Sequence, residues 1–171
     1  MSTKEKIFIE SSENGKNRTE NPLERLAAGV LRQAYVDYVT AYAFLEARRI
    51  SGGGSENPTA RKRAEALLNR KRALIRRSAM KECNRRGIVC LDGYKDFGEY
   101  VEVRLFAEES YAKGAMKEVE RFCRSERFYT FARNIEGEWL LKMAQKNVSD
   151  YFSGRRKTYR LMFTRETLEE L

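Results

Sequence analysis

The chain has 171 residues and a formal net charge of +9, from 34 Lys and Arg against 25 Asp and Glu, and it contains no histidine. A chain without histidine lacks the usual general base, the commonest metal ligand and the Ser-His and Cys-His nucleophile pairs, so the composition disfavours an enzyme. The pI near 9.6 indicates an acidic partner, with nucleic acid as the first candidate.

The cysteines and the apolar segments exclude further classes. The chain has three cysteines, Cys83, Cys90 and Cys123. An odd number at wide spacing predicts free thiols in a reducing cytosol rather than disulfides or zinc ligands. No segment approaches 18 apolar residues, and the N-terminus has no apolar segment of the signal-peptide type. We therefore expect a cytoplasmic protein that needs no membrane, no metal and no cofactor.

Length and hydrophobic periodicity predict a single, mainly α-helical domain in the form of a helical bundle. Residues 1–20 are polar and are predicted to be a flexible tail, residues 21–148 the domain, and residues 149–171 a C-terminal extension. Asn21 and Pro22 are a helix start, and apolar residues at helical spacing continue to about Arg49. This first helix has the widest apolar face, which predicts that it is the central core helix.

A glycine-rich segment and a strongly basic segment follow. Residues 51–55, Ser-Gly-Gly-Gly-Ser, are predicted to be a flexible linker, because no Gly-Lys-Ser/Thr follows to make a phosphate loop. Residues 59–86 hold eleven Lys or Arg and two Glu, a net +9, so the rest of the chain sums to zero. Asn57 and Pro58 are a second helix start, and the spacing of the apolar residues predicts one long amphipathic helix.

The basic side chains of this helix, together with a minor cluster near residue 155, are the candidate binding site. Arg63, Arg70 and Arg77 step by seven residues and are expected to line up along one side, away from the apolar residues. A plain solvated face is the alternative interpretation, although such faces commonly mix both signs of charge. The candidate residues are Arg61, Lys62, Arg63, Arg70, Lys71, Arg72, Arg76, Arg77, Lys81, Arg85, Arg86, Arg155, Arg156 and Lys157.

Residues 87–106 differ in pattern from the helices on either side. A short apolar run, an Asp-Gly turn and the β-forming residues between Tyr100 and Phe106 predict a small β-hairpin, with a helix from Phe97 as the alternative. In this interpretation residues 51–106 are an insertion into the helical scaffold. Further along, we predict a helix to Cys123, a short helix, a tight turn and a last core helix to about Asn147, with Trp139 in its apolar face.

Among enzyme classes, a metal-dependent nuclease is the one that the sequence gives some support. Asp92, Asp96, Glu99 and Glu102 lie close together in the chain, and Glu102-Val103-Arg104 approximates the Glu-x-Lys of some nuclease folds. An arginine in place of the lysine does not deprotonate readily. A nuclease is therefore the less favoured hypothesis.

Two segments that flank the basic helix carry a resemblance to known proteins. They are Gln33-Ala34-Tyr35-Val36-Asp37-Tyr38, and the run from Lys117 through Glu120-Arg121-Phe122-Cys123-Arg124-Ser125 to Ile135-Glu136-Gly137-Glu138-Trp139-Leu140. They resemble small helical accessory proteins encoded by phages and prophages of Gram-positive gut bacteria, with Cys123 in place of a second Phe and Ile135-Glu136-Gly137 in place of an Asp-Gly form. Some proteins of this kind are anti-CRISPR inhibitors, so the resemblance implies a phage protein that acts in a bacterial host cell.

Together these observations predict a non-catalytic, phage-encoded protein that binds nucleic acid. The resemblance adds the hypothesis that it inhibits a host CRISPR effector nuclease, with DNA, guide RNA or the nuclease itself as partner. A DNA-binding or regulatory phage protein without anti-CRISPR activity is the main alternative, and a homodimer is an open alternative for its assembly.

Overall fold

The computed structural model describes residues 22–86, 96–132 and 135–160. In these ranges the chain forms five α-helices, namely α1 (Pro22–Arg49), α2 (Pro58–Arg86), α3 (Phe97–Cys123), α4 (Glu126–Ala132) and α5 (Gly137–Phe152). The prediction of a mainly helical bundle is confirmed for this part of the chain. The predicted tail at residues 1–20, the cap at Asn21 and the residues after Arg160 lie outside it.

Helix α1 is the centre of the bundle, as its wide apolar face predicted. It contacts each of the other four helices. Its buried side chains include Leu31, Tyr35, Tyr38 and Phe44, of which the two tyrosines are at most 1% exposed. Burying an aromatic side chain removes a large apolar area from water, and these residues therefore account for much of the stabilisation of the core.

The glycine segment is a structured extension of α1 rather than a plain flexible linker. Residues Ile50–Gly54 form a π-helical turn in which Ile50 is buried. The Arg49 guanidinium donates to the Gly54 carbonyl oxygen at 2.6 Å and also binds Glu46. Gly53 adopts a φ of 97°, a conformation that glycine accepts without steric cost. The glycines therefore turn the chain tightly between α1 and α2.

The predicted β-hairpin is wrong for the described residues from Asp96 onward, because the chain is helical from Phe97. Tyr100, Val101, Leu105 and Phe106 lie in α3, which begins at Phe97 as the alternative interpretation had it. The Asp96 side chain caps this helix by accepting from the Glu99 amide at 2.9 Å. Val101 and Leu105 are four residues apart and both buried, so a helical stripe explains the apolar pattern that suggested alternation. Residues 87–95 lie outside the described part.

Helices α4 and α5 complete the core. Helix α5 ends at Phe152, five residues beyond the predicted end near Asn147. Its first residue, Gly137, packs against the end of α3, where a Cβ would overlap the carbonyl oxygen of Cys123. Trp139 is only partly buried against the core, whereas Phe128 of α4 is 0% exposed. Phe128 is therefore a more deeply buried aromatic than the tryptophan singled out in the sequence.

Candidate nucleic-acid interface

Helix α2 is positioned by a cap at its start and a narrow stripe of small buried residues. The Asn57 side chain accepts from the amides of Thr59 at 2.9 Å and Ala60 at 3.4 Å, which confirms the predicted helix start. The buried residues of α2 recur at helical spacing and are Ala60, Ala64, Leu68, Ala79 and Cys83. Because most of them are small, α2 lies close to the bundle with a narrow contact, and most of its circumference faces solvent.

Three of the eleven basic residues of α2 face its neighbours and are partly buried, namely Arg63, Lys71 and Arg72. Lys71 pairs with Glu108 and Arg72 with Glu102, each at 2.7 Å, so both cations bind α3. These two charges are compensated by carboxylates, and they link two helices rather than present a free positive surface.

Arg63 has a different role from the one its spacing predicted. Its guanidinium donates to the carbonyl oxygens of Tyr151 and Arg156, the latter at 2.6 Å. It also lies over the ring of Tyr151, with 4.9 Å from Cζ to the ring centroid. The prediction that Arg63, Arg70 and Arg77 all face outward is therefore wrong for Arg63. Its side chain holds the end of α5 and the following chain against α2.

The other eight basic residues of α2 are exposed. Five of them lie along one side of the helix, in a strip that we call the outer face of α2 and define as Lys62, Arg70, Arg76, Arg77 and Lys81. Between them lie exposed uncharged residues, including Ala66, Asn69 and Ala73, and one exposed acid, Glu65. From Lys62 to Lys81 the strip is about 28 Å long at 1.5 Å per residue. That length corresponds to about eight phosphate steps along one strand of duplex DNA.

The three remaining basic residues of α2 are exposed but engaged locally. Arg61 donates to the Ser55 carbonyl oxygen at 2.8 Å. Arg85 and Arg86 both bind Glu82, at 2.7 and 2.6 Å, and hydrogen bonding from Arg85 and then Arg86 lowers the pKa of the Glu82 carboxyl group. These residues extend the positive surface at both ends of α2 but with less unpaired charge than the outer face.

The minor cluster at residues 155–157 does not form a single site. Arg155 is paired with Asp150 at 2.7 Å, and Arg156 is partly buried, with its backbone carbonyl bound to Arg63. Lys157 is exposed. The cluster therefore contributes a structural contact through Arg156 and two exposed charges, of which that of Arg155 is paired with Asp150.

The acidic residues considered for a nuclease have structural contacts where they are described. Asp96 caps α3 and Glu102 pairs with Arg72, while Asp92 lies outside the described residues. Within residues 22–86, 96–132 and 135–160, no three His, Cys, Asp or Glu side chains come together as metal ligands. Burial, followed by the charge of Glu138, raises the pKa of the Cys123 thiol to about 11, which keeps it protonated.

Beside the outer face lies a groove between α1, α2 and α3, with a volume of about 580 Å³. Phe44 of α1, Leu67 and Leu74 of α2, and Tyr111 and Ala112 of α3 are among its lining residues. Leu74 is 51% and Tyr111 74% exposed, although both are large and apolar. Sequence reasoning missed this groove, because the residues that form it come from α1, α2, α3 and α5 and from the chain after α5.

Comparison of the chain with protein-family models, curated proteins and solved structures gave no significant match. Among the described residues, no helix combines the length and the apolar character needed to cross a bilayer.

Proposed function

We propose that the protein is a non-catalytic nucleic-acid-binding protein that uses the outer face of α2. The observation that carries the proposal is the strip of five exposed basic side chains, Lys62, Arg70, Arg76, Arg77 and Lys81, on one helix. Such a strip attracts the phosphate backbone and releases its condensed counterions on binding. Contacts of this kind are made to the backbone, so we expect little preference for base sequence.

The division of the basic residues supports this function over a purely structural role for the charge. Arg63, Lys71 and Arg72 bind carbonyl oxygens or carboxylates of neighbouring elements. The outer-face residues are exposed, so they add little to the packing of α2. A positive strip that the fold does not use for packing repels itself, and a polyanionic partner would relieve that repulsion.

The decisive experiment measures affinity for duplex DNA, single-stranded DNA and RNA at several salt concentrations. If five phosphates are contacted, log affinity for duplex DNA should fall with log salt with a slope of about −4.5. Replacing all five outer-face residues by Gln should abolish most of the affinity and flatten the salt dependence, while the melting temperature stays nearly unchanged.

A second variant with the same change in charge serves as the control. It replaces five exposed basic residues of α3, α4 and α5 by Gln, namely Arg104, Lys117, Arg121, Arg127 and Lys142. If binding depends on the outer face, this control should retain most of the affinity and most of the salt slope. Equal losses in both variants would show that only the total charge matters and would contradict the assignment.

A finer form of the proposal is that this is a phage protein that inhibits a host CRISPR effector nuclease. Its support is the sequence resemblance around Gln33–Tyr38 and Lys117–Leu140, together with a basic face suited to guide RNA or target DNA. The purified protein should then inhibit target cleavage by a CRISPR nuclease, and the outer-face variant should not. Nucleic-acid binding without inhibition would leave the alternative of a phage DNA-binding or regulatory protein.

A further inference from the structure

The groove between α1, α2 and α3 exposes apolar area next to the point where the described chain ends. Leu74 and Tyr111 line its two walls and are mostly exposed, and Phe44 and Leu67 also line it. Exposed apolar side chains gathered in one groove are typical of a surface that another segment covers.

The chain is held at the groove by several contacts of residues 150–160. The carbonyl oxygens of Tyr151 and Arg156 accept from Arg63, and the rings of Tyr151 and Tyr159 meet edge to face at 5.1 Å. Tyr159 and Arg160 are themselves among the groove-lining residues. The described chain therefore ends at a residue that lines the groove.

The sequence after Arg160 has the composition to cover the groove. Residues 161–171, LMFTRETLEEL, contain five large apolar residues, three glutamates and one arginine. Eleven residues span about 16 Å as a helix and more when extended. The groove runs from Ala66 to Leu74 along α2, which is about 12 Å, so the segment is long enough to fill it.

Charge also favours this segment. The α2 wall of the groove contributes Arg70 and Lys71, whereas the opposite walls contribute Asp37, Glu108 and Glu118. The three glutamates and one arginine of residues 161–171 supply both signs of charge for a groove whose walls differ in sign. Because it is part of the same chain, its effective concentration at the groove is in the millimolar range or higher.

We propose that residues 161–171 bind in this groove of the same molecule, where their apolar side chains cover Leu74 and Tyr111. The binding is intramolecular and does not depend on whether the outer face binds nucleic acid. It would bring carboxylates beside Arg70, so the segment would also compete with any anion at that part of the outer face.

The experiment uses a nitroxide label on the full-length chain. Thr167→Cys is labelled in a background with Cys83→Ser and Cys90→Ser, since the remaining thiol of Cys123 is only 1% exposed. The label should broaden the amide NMR signals of groove residues such as Ala66 and Ala115. The broadening should be independent of protein concentration.

Two matched variants decide where the segment binds. Leu74 and Met80 are both on α2 and both 51% exposed, but only Leu74 lines the groove. Leu74→Ser should lower the docking equilibrium constant by about tenfold and remove most of the broadening, whereas Met80→Ser should leave it unchanged. Tyr111→Ser, on the other wall, should repeat the effect of Leu74→Ser.

Three results would overturn the proposal. The first is broadening that Leu74→Ser and Tyr111→Ser do not reduce. The second is the absence of broadening at the groove amides. The third is broadening in a mixed sample, in which isotope-labelled chains without nitroxide are combined with nitroxide-labelled chains at natural isotope abundance. Broadening there would show that the segment of a second copy of the chain occupies the groove.

Discussion

Helices α1 and α2 are almost equal in length, 28 and 29 residues, but the fold uses them in different ways. Among its described side chains α1 buries eight, including two tyrosines and a phenylalanine, whereas α2 buries five, three of which are alanine. The wide apolar face of α1 makes it the centre of the bundle. The narrow stripe of α2 keeps the helix in place with few contacts and leaves an outer face that the fold does not need. The difference suggests that α1 determines stability and α2 carries the charge for a partner.

The largest effect should come from truncating the same residue type in the two helices. Leu31 of α1 is 1% exposed and Leu74 of α2 is 51% exposed. Leu31→Ala should lower the free energy of unfolding by about 2–5 kcal/mol, because it removes buried methyl groups and leaves a cavity. Leu74→Ala should change it by only about 0.5 kcal/mol. Chemical denaturation of both variants measures the difference, and similar losses would contradict the division between the helices.

A smaller effect should separate the inner and outer arginines of α2. Arg63→Met removes charge-assisted hydrogen bonds to two carbonyl oxygens and should lower the free energy of unfolding by about 2 kcal/mol. Arg77→Met, on the outer face, should change it by about 0.5 kcal/mol or less. Thermal and denaturant unfolding test this pair. A destabilisation of the same size by Arg77→Met would mean that the outer face also packs in the fold.

The core of α1 should also respond to high pH. Burial is the main cause that raises the pKa of Tyr38 to about 12, although the hydrogen bond from Gln145 opposes it. The unfolded tyrosine ionises near pH 10, so the stabilising effect of the neutral folded form is complete below pH 10 and is lost as the pH rises towards 12. The melting temperature should fall over this range.

Two tyrosine variants assign that alkaline effect. Tyr38→Phe should make the fall in melting temperature between pH 10 and 12 less steep, and Tyr129→Phe should not, because Tyr129 is 57% exposed. Burial also raises the pKa of Tyr35, and it raises that of Cys123 to about 11. Part of the decrease in melting temperature should therefore remain in Tyr38→Phe. An unchanged pH profile for Tyr38→Phe would show that its ionisation is not coupled to folding.

The smallest effect should be the coupling of α2 to α3 through exposed ion pairs. Arg72 and Glu102 are 2.7 Å apart, with side chains 32% and 53% exposed. A double-mutant cycle with Arg72→Ala and Glu102→Ala should give a coupling free energy of about 0.2–1 kcal/mol that decreases with added salt. The same cycle with Arg76 in place of Arg72 should give no coupling free energy. A larger value for the Arg72 pair would mean that charge pairing, and not the alanine stripe, holds α2 in place.

The helices themselves could be predicted from sequence because their signals are local. Asn57-Pro58 caps α2 as its residue types indicate, and the apolar spacing after Pro22 identifies α1 as a core helix. The hairpin predicted for Tyr100 to Phe106 was wrong, because these residues lie in α3. Residues with a β preference can also form a helix when every fourth one is buried in the core. There the packing of Val101 and Leu105 overrode the local preference.

The sequence by itself determined the helical class, the concentration of positive charge in residues 59–86 and the existence of an amphipathic α2. Only the tertiary structure decided which of those charges are available. Arg63, Arg70 and Arg77 have the same side chain and a regular spacing, but Arg63 meets two carbonyl oxygens of a segment that lies about 90 residues away in the chain. The groove beside Arg70 has the same origin, since its lining residues come from four helices and the chain after α5. Helical periodicity depends on neighbours three and four residues apart, whereas these contacts depend on how distant helices pack.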